Sequence, residues 1–165
     1  MRTDSMGTAR MDLLPLRVEH AGEMADVLSD PELHTYIGGA PLSPDDLRSR
    51  YERLVTGSPD PAVSWCNWVL RLREESRLAG TVQATITGRR AEIAWVVGKP
   101  WQGRGLASEA ARALVGWLGQ QGVTEVIAHI HPGHGASAAV AAAAGLTPTA
   151  QRQDDEIRWE LSLRH

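Results

Sequence analysis

Several residue types are scarce in this sequence, and each shortage excludes a class of protein. The 165 residues include one cysteine, Cys66, which excludes an internal disulfide framework and any zinc or iron–sulfur site built from several cysteines. No apolar run approaches the roughly 20 residues that a membrane-spanning helix needs. The net charge is −3 and the 17 basic residues are scattered, so no basic field would attract nucleic acid. The first residues are polar where a secretion signal would be apolar. We therefore expect a cytoplasmic protein that binds neither nucleic acid nor membranes.

The residues that are present describe an ordinary globular domain. Hydrophobic residues make up 42% of the chain and charged residues 22%. This length is sufficient for one hydrophobic core. Residues 1–11 show no periodicity, which predicts a flexible N-terminal tail ahead of a single domain at 12–165.

Hydrophobic periodicity predicts the element order β-α-α-β-β-β-α-β-α-β-β. Strands are expected at 65–72, 78–87 and 91–97, with connections short enough for antiparallel hairpins. Ser43 as N-cap and Pro44 at the first helical position predict the start of a helix. An α+β (mixed α/β) fold follows, with a mixed sheet flanked by helices.

The strand at 91–97 leads into a glycine-rich loop, residues 98–107, that opens a helix. Unpaired N–H groups and the positive helix end make such a loop an anion site, and Gly103 and Gly105 let a ligand approach the backbone closely. A Walker A loop does not fit, because Arg104 and Gly105 replace its Lys-Ser/Thr pair. A dinucleotide fingerprint does not fit either, because Ser108 replaces its third glycine. An ordinary tight turn is the structural alternative.

Residues 102–107, Gln-Gly-Arg-Gly-Leu-Ala, resemble the Gln/Arg-x-x-Gly-x-Gly/Ala signature of the GNAT acetyltransferases. Residues 131–146, which contain Ser137, are similar to a second segment of that family, although His134 replaces the Asn of many members. The region around Tyr36 is most similar to the branch of ribosomal-protein N-terminal acetyltransferases. The resemblance covers nearly the whole chain. It implies the GNAT fold, with a mostly antiparallel seven-stranded sheet, and acetyl-CoA as the acyl donor.

The resemblance also implies where the cofactor and the reacting groups lie. Loop amides would bind the pyrophosphate of acetyl-CoA, and strand backbone would bind its pantetheine arm. Glu92 is the candidate general base, with a solvated hairpin residue as its alternative, and Ser137 is the candidate proton donor to the thiolate, with helix capping as its alternative. His134 is a candidate proton relay. The cofactor-contacting residues predicted in this way are Trp95, Val96, Val97, Gln102, Gly103, Arg104, Gly105, Leu106, Ala107 and Ser137.

Three aromatic residues, Tyr36, Trp65 and Trp68, are predicted to line the acceptor pocket, unless they fill the core. The acidic run 154–156 would attract a cationic acceptor or form a hairpin tip. Histidines 129, 131 and 134 offer too few ligands for a metal site, so no metal is expected.

The predicted function is acetyl transfer from acetyl-CoA to a primary amine by direct attack. The acceptor is either a small-molecule amine such as an antibiotic or a protein N-terminus. Cys66 has no evident base, which argues against a covalent intermediate. The alternative is a catalytically inactive acyl-CoA-binding or sensing module, and a homodimer is left open.

Overall fold

Eight strands form one sheet in the computed structural model, which describes residues 2–34 and 40–163. The strands are β1 (Met6–Gly7), β2 (Met11–Pro15), β3 (Val63–Leu72), β4 (Arg77–Thr87), β5 (Arg90–Val97), β6 (Glu125–Ile130), β7 (Thr147–Gln153) and β8 (Glu156–Ser162). Their order across the sheet is β1-β2-β3-β4-β5-β6-β8-β7. Neighbouring strands are antiparallel except β5 and β6, which are parallel.

The α-helices of the described residues are α1 (Ala21–Val27), α2 (Pro44–Thr56), α3 (Leu106–Gln120) and α4 (Gly135–Ala143). Short 3₁₀ turns lie at Val18–His20, Pro31–Leu33 and Lys99–Trp101. The α+β prediction is confirmed. None of the described helices has the length and apolar character needed to cross a bilayer.

The predicted count of seven strands is wrong, because β1 lies within the segment that was predicted to be a flexible tail. The carbonyl oxygen of Asp4 accepts a hydrogen bond from the Trp68 indole at 2.7 Å, and its carboxylate accepts one from the Trp117 indole at 3.1 Å. Arg73 donates to the carbonyl oxygens of Ala9 and Met11 at 2.7 and 2.6 Å. These partners are distant in sequence and polar, so hydrophobic periodicity could not reveal them.

Helix α2 begins where its capping residues predict. The Ser43 hydroxyl accepts a hydrogen bond from the Asp46 N–H at 3.1 Å, and Pro44 occupies the first turn. Leu47 and Tyr51 form its buried face.

Helices cover both faces of the sheet. Trp68 of β3 packs edge-on against Trp117 of α3, with ring centroids 5.0 Å apart. Because side chains alternate along a strand, Asn67 points to the opposite face, where α1 and α2 lie. The buried stripe of α3 comprises Leu106, Ala110, Ala111, Leu114, Trp117 and Leu118.

Candidate active site

The two parallel strands at the centre of the sheet separate along their length. β5 and β6 pair only at Arg90–Glu125, Ala91–Val126 and Glu92–Ile127. Beyond Glu92 the strands continue without pairing, to Val97 and Ile130 respectively. We call the space between residues 93–97 and 128–130 the gap. It leaves part of a central strand open to a ligand.

Backbone groups of β5 point into the gap at alternate residues. The Gly98 N–H donates to the Ala79 carbonyl at 2.7 Å. This bond determines which residues of β5 are hydrogen-bonded to β4. By the alternation of antiparallel pairing, Val96 exchanges its hydrogen bonds with β4, whereas the N–H groups of Trp95 and Val97 face the gap. Val96 can therefore offer a ligand only its side chain, which corrects the expectation of a backbone contact there.

The glycine loop leads from β5 to the first turn of α3. Gly103 and Gly105 have φ angles of 78° and 77°, a region that residues with side chains rarely adopt. A Cβ atom at Gly103 would meet no atom within 4 Å, and one at Gly105 would meet only the Arg10 guanidinium at 3.5 Å. Open space therefore lies beside the free N–H groups of the α3 N-terminus, as a bound pyrophosphate requires.

Charged side chains surround this loop. Arg104 pairs with Glu75 at 3.0 Å, so part of its charge is already neutralised. Arg10 donates to the Arg104 carbonyl at 2.7 Å and pairs with Glu109 of α3 at 2.9 Å. Arg10 lies 94 residues before Arg104, and no local pattern in the sequence points to it. Sequence reasoning therefore missed this cation beside the loop.

Two residues predicted to contact the cofactor do not offer it their side chains. The Gln102 side chain donates to the Val97 carbonyl at 3.0 Å, which fixes the glycine loop to the end of β5. Leu106 is 2% exposed and its side chain lies in the core, so only its N–H faces the loop.

A cleft of about 720 Å³ joins the gap to the sheet face beneath α1 and α2. Glu92, His134 and Ser137, the three predicted catalytic residues, all line this cleft. They come from β5, from the loop before α4 and from α4. The fold therefore brings together side chains that lie up to 45 positions apart.

Glu92 lies beside a histidine of the neighbouring strand. Its carboxylate is 3.4 Å from Nδ1 of His129, whose side chain is only 9% exposed while that of Glu92 is 51% exposed. Glu92 thus combines access to the cleft with a buried partner that orients one oxygen. This geometry suits a general base.

Ser137 has a histidine partner one helical turn earlier. Its hydroxyl lies 3.4 Å from Nε2 of His134. Burial, together with the nearby His131, lowers the pKa of His134 below its ordinary value. His134 is therefore mainly neutral at pH 7. Within residues 2–34 and 40–163, no three His, Cys, Asp or Glu side chains are grouped as a metal site.

The acetyltransferase (GNAT) domain matches residues 10–147 of the sequence. The chain belongs to the GNAT acetyltransferase family. Acetyl-CoA is accordingly its acyl donor, as the glycine loop implied. No curated protein sequence matches this chain.

Solved structures of the family share its fold. RimL, a ribosomal L7/L12 alpha-N-protein acetyltransferase bound to coenzyme A, has a TM-score of 0.82 at 15% identity, covering 97% of this chain and 98% of its own. The ribosomal-protein-S5-alanine acetyltransferase of Vibrio fischeri has a TM-score of 0.78 at 17% identity, covering 96% of each chain. AAC(6')-Ib, bound to paromomycin and acetyl-CoA, has a TM-score of 0.75 at 16% identity, covering 91% of this chain and 92% of its own.

The aromatic residues predicted for the acceptor pocket of this GNAT acetyltransferase are placed differently. Trp68 is 0% exposed and packs under α3, on the face opposite the cleft, so it cannot contact the acceptor. Trp65 does not line the cleft, whereas Trp95 does. Tyr36 lies outside the described residues.

Other residues of the acceptor region were missed by sequence reasoning. Asn67, Thr81 and Gln83 line the cleft from β3 and β4, and Tyr51 lines it from α2. The alternation of strand 65–72 would have placed Asn67 opposite the buried Trp68, but no pattern shows which helix covers that face. The acidic residues 154–156 also line the cleft, at the β7–β8 turn.

Proposed function

We propose that this GNAT acetyltransferase transfers the acetyl group to a primary amine by direct attack on the thioester. The observation that carries the proposal is one continuous path. The glycine loop, the gap and the cleft that contains Glu92 follow one another along β5.

The glycine loop and the gap bind the donor. First-turn N–H groups of α3 hold the pyrophosphate, and Arg10 and Arg104 lie beside it. The Trp95 and Val97 N–H groups bond the pantetheine arm as an added strand would. One of these donors also stabilises the oxyanion that forms as the amine attacks.

Glu92 removes a proton from the attacking amine. An amine with a pKa near 10.4 costs about 4–5 kcal/mol to deprotonate at pH 7, whereas an α-amino group near 8 costs about 1 kcal/mol. The N–C bond forms, the C–S bond breaks, and the Ser137 hydroxyl delivers a proton to the leaving sulfur. The nitrogen of an ammonium acceptor loses two protons in all. Glu92 passes the first to solvent before the attack. It takes the second as the amide forms, and water returns that proton to Ser137. The overall reaction therefore converts the ammonium ion and acetyl-CoA into the amide, the free thiol and one released proton.

The charge of the cleft supports a cationic acceptor. Four carboxylates, those of Glu92 and of residues 154–156, line this space, against one guanidinium, that of Arg50. Carboxylates near the entrance attract an ammonium group before it is deprotonated. Both a small-molecule amine and a protein N-terminus meet this requirement.

The test is isothermal titration of acetyl-CoA into the parent protein and into Gly105→Glu. The variant places a side chain at a φ of 77° and a negative charge in the cradle, so we expect the Kd to rise about tenfold or more. Gly116→Glu is the matched control, because Gly116 lies in the exposed middle of α3 with nothing near its Cβ position.

The parent and both variants are then assayed by acetylation of a panel of primary amines. Equal affinity of Gly105→Glu and the parent for acetyl-CoA would reject the glycine loop as the donor site. Donor binding without acetylation of any amine would reject the proposed transfer.

A further inference from the structure

Tyr51 lines the cleft, and its hydroxyl is buried without a hydrogen-bond partner among the described residues. The residue is 4% exposed and lines the acceptor side of the cleft from α2. Buried polar groups are nearly always hydrogen-bonded, and an orphan of this kind needs an explanation. Burial also raises the pKa of Tyr51 to about 12, so the group remains a proton donor at all working pH values.

Neutral polar side chains line the same region from the sheet. Asn67 and Gln83 are directly paired across β3 and β4, and Thr81 lies next to Gln83 on the same face. Apolar residues such as Leu47 and Leu54 of α2 complete the walls, and Arg50 of the same helix also lines the cleft. Apolar walls with a few convergent polar groups are typical of a site that orients a small polar ligand.

We propose that the acceptor carries a neutral oxygen, a carbonyl or a hydroxyl, that accepts a hydrogen bond from Tyr51. This inference rests on the proposed function, because it concerns the acceptor of the same reaction. The amine is then directed toward Glu92 while the oxygen occupies the subsite of Tyr51, Asn67 and Gln83. Acceptors that lack this oxygen leave the tyrosine unpaired, so the enzyme selects against plain alkylamines.

The experiment compares matched amines. β-Alaninamide is paired with 3-methylbutylamine, and 3-aminopropan-1-ol with n-butylamine, so each pair differs in polarity but little in shape. The ratio of kcat/KM within each pair is measured for the parent and for Tyr51→Phe. We expect the parent to favour the polar member, and Tyr51→Phe to lower the ratio about tenfold without changing KM for acetyl-CoA.

The pair of amines whose kcat/KM ratio responds more strongly to Tyr51→Phe identifies the oxygen as an amide carbonyl or a hydroxyl.

Thr87→Val is the control, since it removes a hydroxyl from β4 outside the cleft. The melting temperature of ligand-free Tyr51→Phe should equal or exceed that of the parent, because the lost hydroxyl had no partner. A merely structural role for the hydroxyl would lower it.

The outcomes separate this inference from the proposed function. Acetylation of both members of each pair, at a ratio that Tyr51→Phe leaves unchanged, would overturn the subsite and leave the transferase intact. If no amine is acetylated, the same amines are titrated into the CoA-saturated protein to measure binding without turnover. Binding of the polar member that depends on Tyr51, without turnover, would support the subsite and reject the transfer. Absence of any preference in binding and turnover would overturn the subsite.

Discussion

At the scale of single residues, Glu92 occupies a distinctive place in the sheet. It is the last residue of β5 that pairs with β6, so it stands where the two strands begin to separate. Its carboxylate faces the cleft on one side and His129 on the other. A base at this point is close to the thioester that the gap would hold.

Replacing Glu92 with Gln should lower kcat about 10²- to 10⁴-fold for a lysine-like amine at pH 7. The loss should shrink as the pH rises, because the free amine then forms without a base. Steady-state rates from pH 6 to 10 provide the measurement. KM for acetyl-CoA should not change.

Glu160→Gln is the control for this variant, because Glu160 lies on β8 beside Arg158 and does not line the cleft. A Glu92→Gln enzyme with parental rates at every pH would remove Glu92 from the mechanism.

Local spacing explains which site residues the sequence could reveal. The glycine loop is a short pattern whose chemistry follows from neighbouring residues, whereas Ser137 was proposed from the resemblance of residues 131–146 to a GNAT segment. Tyr51 and Arg10 come from remote segments, and their place at the site depends on packing that no local pattern records. Trp68 was misplaced because an aromatic residue on a strand can point to either face.

At the scale of elements, residues 2–10 act as a clamp between the sheet and α3. Thr8 and Arg10 both bond to the Glu109 carboxylate, one turn into α3 from the glycine loop. Burial acts to raise the pKa of Glu109, but the hydrogen bonds from Thr8 and Arg10 together lower it. The clamp therefore stabilises the helix whose N-terminus forms the proposed anion site.

Glu109→Gln should lower the free energy of unfolding by about 1–3 kcal/mol at pH 7, since it weakens several hydrogen bonds to a charged group. Because the folded pKa is below the ordinary 4.5, this stabilisation is complete above pH 4.5. It is lost as the pH falls through the lowered folded value. Urea unfolding at several pH values measures the difference between parent and variant.

Glu19→Gln is the control for the clamp, because Glu19 is exposed on a 3₁₀ turn and its ion pair within the described part of the chain is with exposed Arg17. A difference between Glu109→Gln and the parent that stays constant down to pH 3 would contradict the assigned role of the carboxylate.

The elements themselves were predictable to different degrees. Capping at Ser43 and the glycine-rich loop each predicted the start of a helix, and the structure has α2 and α3 there. Strand β1 is two residues long and is held by polar contacts, so periodicity carries no signal for it. The mixed sheet followed from the order of elements, whereas the separation of β5 from β6 depends on their register.

At the scale of the whole molecule, one sheet runs from β1 to β7, and its two central parallel strands separate where β5 leaves β6. Smaller irregularities lie between β3 and β4 at Leu70–Arg71 and between β7 and β8 at Pro148–Arg152. Helices α1 and α2 cover one face and α3 the other, so the gap opens between two well-packed layers. In the proposed transfer, a donor in the gap and an acceptor in the cleft would meet at the same strand, β5.

Because of the gap, hydrogen–deuterium exchange of the β5 amides should depend on whether the donor is bound. Without a donor, the Trp95 and Val97 amides should exchange with deuterium quickly although they lie in a central strand, while the Val96 amide, bonded to β4, is protected. Saturating acetyl-CoA should slow the first two by about tenfold or more and leave Val96 unchanged, as heteronuclear NMR can follow. Equal protection of all three in the free protein would contradict the alternation. Three consecutive residues would thus show donor binding as a change from alternating to uniform protection.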